Sequence, residues 1–344
     1  MKPIFSFIFS LFVCLSISAN AETSPSINAS LASQSLLLDI TLADESRIVA
    51  VGERGHILTS IDATTWQQAN VPIQSTLTSV YFLNGLLGWA VGHDASILHT
   101  FDGGNNWHIQ QYLPSLEKPL LDIVFKDKDN GIAIGAYGQF FRTIDGGKNW
   151  FFEFHEEFLL AEDAEYLNEL KLEDEEVYLD ERASILPHFN RLFRDGRTLY
   201  MVGEIGLIAK SNDFGKSWHA FDEIYQGSFF DATRTQEGTL LIAGLRGNVF
   251  RSLKNGMSWK KIQTGTTSSI NSIVLGENGY IYLLGNNGVF LISKDDGKSF
   301  ISRTQDDGKP LIAGVWFNGK IIAVSDVGIK TVTTLVSTIT SGIN

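Results

Sequence analysis

The chain has a single cysteine, Cys14, among 344 residues. It lies inside an apolar N-terminal stretch, so the chain beyond it can form neither a disulfide nor a thiolate metal site. Cations are scarce too: 27 Lys and Arg against 39 Asp and Glu give a net charge of −12. That balance disfavours a phosphate backbone as ligand, so nucleic-acid binding is not expected. No Asp-x-Asp-x-Asp-Gly calcium loop occurs. The glycine pairs do not stand at strand–helix junctions, where phosphate cradles form. Neither a metal nor a cofactor is expected. Past the first 21 residues, no run is long and uncharged enough to span a bilayer.

Those first residues, MKPIFSFIFSLFVCLSISANA, read as a secretory signal: Lys2, an apolar stretch from Ile4 to Ile17, and a small-x-small site at Ala19-Asn20-Ala21. Cleavage is expected after Ala21, giving a periplasmic or secreted protein. The context Phe12-Val13-Cys14 does not match a lipoprotein box, so no lipid anchor is expected. Cysteine-free export suits a bacterial envelope protein better than a small disulfide-stapled one.

What the chain does have is a repeat. The stretch IAIGAYGQFFRTIDGGKNW, Ile132 to Trp150, recurs in varied form. Its closing aromatics fall at Trp66, Trp107, Trp150, Trp218, Trp259 and Phe300, spaced by 41, 43, 68, 41 and 41 residues. A seventh, truncated copy starts at Ile322. Each copy predicts two short strands, a tight turn and a third strand starting at the aromatic, with one more strand ahead of it. In the turn, an Asp can accept hydrogen bonds from amides further on. The Gly two residues later supplies a positive φ. Four antiparallel strands every 41 residues predict an all-β, seven-bladed β-propeller of four-stranded blades, filling residues 22–344 as one domain. Residues 22–35 are expected either to be a disordered leader or to close the ring; Thr331 to Ile339 is the other candidate for the closing strand.

The turns carry a resemblance. Thr100/Asp102/Gly104/Trp107, Thr143/Asp145/Gly147/Trp150 and Ser211/Asp213/Gly215/Trp218 resemble the Asp-box (BNR) repeat. Asp62 with Trp66 and Asp295 with Phe300 are variant copies, and Lys254 replaces the Asp ahead of Trp259. With the recurrent VG-x-x-G, the whole is similar to the photosystem II stability/assembly factor-like family, over about residues 36 to 333. The resemblance implies a seven-bladed propeller that assists assembly of a membrane protein complex.

One spacing breaks the period. Residues 153–186 form an insert between blades three and four, with thirteen acidic and two basic residues, a net charge of −11. It lacks Gly and Pro, and Leu159, Tyr166, Leu167 and Leu170 recur at helical spacing. A helix is expected from Glu156 to Leu172 and a second from Glu175 to Ser184, with the apolar stripe against the propeller or a partner.

Strand parity puts the insert on the same face as the loops between second and third strands, with the Asp-box turns on the opposite face. Those loops carry Arg54, His93, Asp94, Tyr137, Glu204, Arg246, Asn286, Asn287 and Asp326 as candidate binding residues, since variable tips on a regular scaffold are where binding usually resides. For any one of them, a solvated loop tip is the simpler explanation. Solubility is likewise the simplest role of the acidic run. The expected function is a non-catalytic assembly or interaction factor, monomeric, bound to an envelope membrane complex; by analogy a transporter of the resistance-nodulation-division type is a candidate partner. The alternative is a glycoside hydrolase. A sialidase needs three converging arginines and a Tyr–Glu pair; Arg54, Arg246, Tyr137 and Glu204 are on the right face, but a third arginine is not evident. Asp94, Glu204 and Asp326 leave a two-carboxylate mechanism open. A carbohydrate-binding module would need aromatic platforms, and Tyr137 is the one evident.

Overall fold

The computed structural model describes residues 23–332. The signal, Cys14 and the segment beyond Val332 lie outside the described residues. Seven antiparallel sheets follow one another in chain order, six of four strands and a last of three. Their inner strands are Leu37–Asp44, Leu77–Phe82, Leu120–Phe125, Phe189–Asp195, Phe229–Arg234, Ile270–Leu275 and Ala313–Phe317. Each sheet is an up-and-down blade in which sequential strands pair. The second strand is the most apolar and is buried on both sides. In blade three Gly131–Gly135 has no exposed residue, because both of its faces meet a neighbouring blade.

The Asp-box turns form as the sequence predicts. In blade two, Asp102 Oδ1 accepts from the amides of Asn105 and Asn106, both at 3.0 Å, and from the Thr100 hydroxyl at 2.8 Å. The Thr100 hydroxyl oxygen accepts in turn from the Gly104 amide. Gly104 has φ +91°, which a side chain resists. The turn delivers Trp107 into the space between blades one and two, where it is buried among Val49, Val51, Val80 and Leu98. Trp218 does the same between blades three and four, against Ile132, Phe140 and Met201. Where Lys254 replaces the Asp, the Ser252 hydroxyl still accepts from the Lys254 and Gly256 amides, so the turn persists on its serine half.

Among the described residues, blades one and seven meet by packing. Leu37, Ile40, Ile48 and Leu58 of blade one share a buried cluster with Ala313, Phe317, Ile322 and Val324 of blade seven. The leader adds no strand. Its later part lies against the seam, where Ala32 is buried in this cluster; nearer its start, the Ser26 amide donates to the Val71 carbonyl beyond blade one at 2.9 Å. Gly328 in the last blade runs so close to Ser33 that a Cβ there would collide with its carbonyl oxygen. The alternative closing segment survives among the described residues only as the end of the third strand, Gly328–Val332.

The insert is a helical hairpin, α1 (Ala161–Glu173) and α2 (Glu175–Arg182). The first helix starts five residues later than the periodicity predicts. Phe158 and Leu159 pack into the cluster between blades three and four, beside Phe189 and Trp218, and pull the chain ahead of α1 out of helical register. Residues Glu156–Phe158 make a single 3₁₀ turn instead. Asp174 separates the helices and caps α2, accepting from the Glu176 and Val177 amides. Among the described residues no helix is long and apolar enough to cross a membrane.

Candidate functional site

The loops between second and third strands share one backbone form. The middle residue is left-handed in six blades: Arg54, Asp94, Tyr137, Ile205, Arg246 and Asn287 have φ between +52° and +60°. The first residue of each turn donates its amide to the carbonyl just before the blade's inner strand, as Glu53 does to Leu36, His93 to Thr76, Ala136 to Pro119 and Glu204 to His188. These bonds place the turns and the blade-to-blade connections on one face. The Asp-box turns lie on the other, where the Gly103 amide donates to the Leu86 carbonyl.

Several candidate side chains are occupied locally. Glu204 accepts from the His188 amide at 3.2 Å. Asp94 accepts from the Ser75 hydroxyl, Asn286 from the Asn271 amide group, and Asn287 donates to Ser268. Asp326 lies 3.8 Å from the Lys309 ammonium. The Arg54 carbonyl accepts from Ser26, and Arg246 lines a shallow cleft with Thr266 and Thr267. Tyr137 and Glu204 both meet His188: the Tyr137 ring stands edge-on to the imidazole at 4.6 Å, and Glu204 lies 3.5 Å from its Nδ1. Otherwise these residues are distributed one turn per blade around the face.

The face converges elsewhere, on its axis. The inner strands of blades one to six each carry a β-bulge at their second residue. In blade one Leu37 pairs with Gly52 and Asp39 with Val51, leaving Leu38 unpaired. The same shift frees Thr78, Leu121, Asn190, Phe230 and Asn271. A bulge re-aims its extra side chain, and these six, with Ile312 of blade seven, line a central funnel of about 310 Å³. The next residues form a second ring: Asp39, Ser79, Asp122, Arg191, Asp231, Ser272 and Ala313. The sequence reading passed over this ring. Its signal is a charge inside an apolar strand, as in Leu37-Leu38-Asp39-Ile40, Leu120-Leu121-Asp122-Ile123 and Phe229-Phe230-Asp231-Ala232.

Each acidic member of the ring ties its blade to the next. Asp39 accepts from the Val80 amide at 3.0 Å, Asp122 from Leu192 at 2.6 Å and Asp231 from Ile273 at 2.7 Å. Asp39 and Asp122 share the Ser79 hydroxyl. Arg191 is the lone cation. Its guanidinium lies 3.6 Å from Asp39, 3.6 Å from Asp122 and 3.8 Å from Asp231, outside hydrogen-bonding range of all three. Protein surrounds it on the ring, yet its side chain is 34% exposed because the funnel opens onto it. Burial opposes its charge, but Asp122, Asp39 and Asp231 more than offset this and raise its pKa. Burial pushes Asp122 upward against the pull of Arg191 and the Leu192 amide. It pushes Asp231 up to about 6 despite Arg191 and two backbone donors. The funnel therefore has a mixed rim of apolar, amide and hydroxyl side chains and a floor whose one cation is the Arg191 guanidinium.

Comparison with known proteins bears on this geometry. Residues 19–115 and 192–306 match the family described as Photosynthesis system II assembly factor YCF48. The chain is 28% identical over 236 residues to the Photosystem II assembly protein Ycf48 of Synechococcus sp. (strain JA-2-3B'a(2-13)), a match that takes in 67% of this chain. It is 30% identical over 239 residues to the Photosystem II assembly lipoprotein Ycf48 of Prochlorococcus marinus (strain MIT 9312), taking in 68% of this chain. The chain spans 62% and 63% of the lengths of these two relatives. In structure it is similar to YCF48 bound to D1 peptide, with a TM-score of 0.66 at 19% identity, covering 90% of this chain and all of that one.

Proposed function

The chain belongs to the photosynthesis system II assembly factor YCF48 family, and from that premise we propose that it is an exported, non-catalytic assembly factor whose funnel receives a segment of a membrane-protein partner. The observation that carries this reading is the pairing of the bulge-built rim with Arg191. Leu38, Leu121, Phe230 and Ile312 offer half-buried apolar surface to side chains. Arg191 offers N–H donors to a backbone carbonyl or a carboxylate. The volume of about 310 Å³ is at the small end of ligand pockets, suited to a few residues of an extended chain. A relative named as bound to a D1 peptide supports a peptide as the class of ligand. The relatives' names carry the partner no further than a membrane protein assembly, and a resistance-nodulation-division transporter has no support among them. Export rests on the N-terminal signal and on a relative named as a lipoprotein.

The hydrolase reading is weaker on geometry. Arg191 is the one arginine among the residues lining the funnel, where a sialidase needs three. The funnel carboxylates are tied to backbone amides of neighbouring blades rather than left free for acid–base work.

The test is co-purification from envelope membranes with the wild type and with Phe230→Ala and Arg191→Lys variants. Loss of the same membrane protein in both, at unchanged thermal stability, supports the reading. Undiminished capture by both, or cleavage of a glycan panel by the wild type, would overturn it.

A further inference from the structure

The helical hairpin interrupts the 41-residue blade spacing, and with blade three it lies in the stretch between the two segments that match the family. It is held rather than tethered. The Gly138 amide donates to the Pro187 carbonyl at 3.0 Å, the Lys118 ammonium donates to the Ala183 carbonyl, and Leu186 packs directly on Gly138. Within the hairpin, Leu167 and Tyr178 are buried. Its two cations are both spent on this inner side: Lys171 stands over the Tyr178 ring at 5.6 Å, and Arg182 over Tyr178 at 5.5 Å and Phe154 at 5.2 Å.

The outer face of α1 is left with the opposite character. Glu162, Glu165, Tyr166, Glu169, Leu172 and Glu173 fall at i, i+3 and i+4 spacings on one side of the helix, and all are exposed. Leu172 is 88% exposed and Tyr166 42%, so two large apolar side chains stand in water between four carboxylates. Among the described residues, no carboxylate of either helix makes an ion pair. A face meant only for solubility needs the glutamates but not the exposed leucine and tyrosine.

We propose that this face of α1 docks a basic amphipathic helix of a protein partner, its apolar stripe covering Tyr166 and Leu172 and its lysines or arginines meeting the four glutamates. Charge complementarity selects the occupant: uncompensated carboxylates repel an anionic membrane surface and a second copy of the same face alike. The inference goes beyond the funnel reading and does not depend on what the funnel holds.

The test uses the mature full chain and a labelled amphipathic Leu/Lys helix of about 18 residues as probe, followed by fluorescence anisotropy. A Ser/Lys peptide of equal charge and anionic vesicles serve as controls. The wild type is expected to bind the Leu/Lys probe at least about tenfold more tightly than the Ser/Lys peptide. Tyr166→Ser/Leu172→Ser, which keeps every charge, is expected to lose at least about tenfold, and Glu162/Glu165/Glu169/Glu173→Gln a similar amount. Helical circular dichroism establishes that α1 persists in each variant. Because all six substitutions lie outside the funnel, capture of the membrane partner through Phe230 remains a separate readout. Equal binding of both peptides, undiminished binding by the Ser pair, or preference for the vesicles would overturn the proposal.

Discussion

Asp231 illustrates how a single position sets the molecule's response to acid. Its carboxylate accepts from the Ala232 and Ile273 amides and faces Arg191, yet burial raises its pKa from 3.8 to about 6. Between about pH 4 and 6 the native state therefore holds a proton that the unfolded state has released, and this contribution to stability falls as pH rises through that window. Asp122 shifts in the same direction. The Asp-box carboxylates do the reverse. Asp213, where side-chain and amide donors outweigh burial, and Asp295 are lowered to about 2, so their contribution is complete above about pH 4 and is lost as pH falls toward 2. The melting temperature of wild type minus that of Asp231→Asn is expected to drop between pH 4 and 7; a difference that stays flat would contradict the burial assigned to this group. Apolar positions give a simpler expectation. Trp107→Ala empties the space between blades one and two and should cost about 3–5 kcal/mol in denaturant unfolding.

The elements were legible in the sequence to unequal degrees. The Asp-box turns and blade strands were plain, because their chemistry is local: Thr100, Asp102 and Gly104 make one another's hydrogen bonds within five residues. The inner-strand bulges were not legible, because a bulge is defined by the partner strand and nothing in Leu37-Leu38-Asp39 announces which residue will be left unpaired. Strand parity placed the second-to-third-strand loops and the blade connections on one face, as the structure has them, but the convergence of the inner strands on its axis was missed for that reason. The start of α1 was misplaced because Leu159 fits a helical stripe by spacing but packs, with Phe158, into a blade interface, and the interface prevailed. This distinction has a measurable consequence. Replacing Ala161 to Arg182 by a short Gly/Ser linker keeps Phe158 and Leu186 in place, and should leave the propeller's melting temperature within about 4 °C of wild type. Extending the deletion back to Glu156 removes Phe158 from Trp218 and Phe189, and should lower it clearly further. Equal melting temperatures for the two deletions would show that the insert's first turn does not support the blade three–four interface.

At the scale of the whole molecule, seven sheets make a ring whose seam, among the described residues, is sealed by side chains. Phe317 is buried in the cluster that joins blades seven and one, and Ala32 of the leader closes that cluster from the outside. Removing residues 23–35 should therefore raise amide exchange in the last blade, Lys320–Ser325 and Gly328–Val332, before it does so in blade four. Uniform exchange across the blades would mean that the leader does not guard the seam. The ring also sets the protein's two faces apart. On one, bulges in six inner strands, with Ile312 of the seventh blade, shape a funnel over Arg191; on the other, Asp-box turns satisfy their own polar groups. The central claim is that a partner enters by the funnel. The measurement that tests it most directly is photo-crosslinking in envelope membranes, with a benzophenone amino acid placed at Phe230 on the funnel rim or at Lys216 in the blade-four Asp-box turn. The account predicts one dominant membrane-protein adduct from Phe230 and none from Lys216. The same adduct from Lys216, with nothing from Phe230, would contradict it.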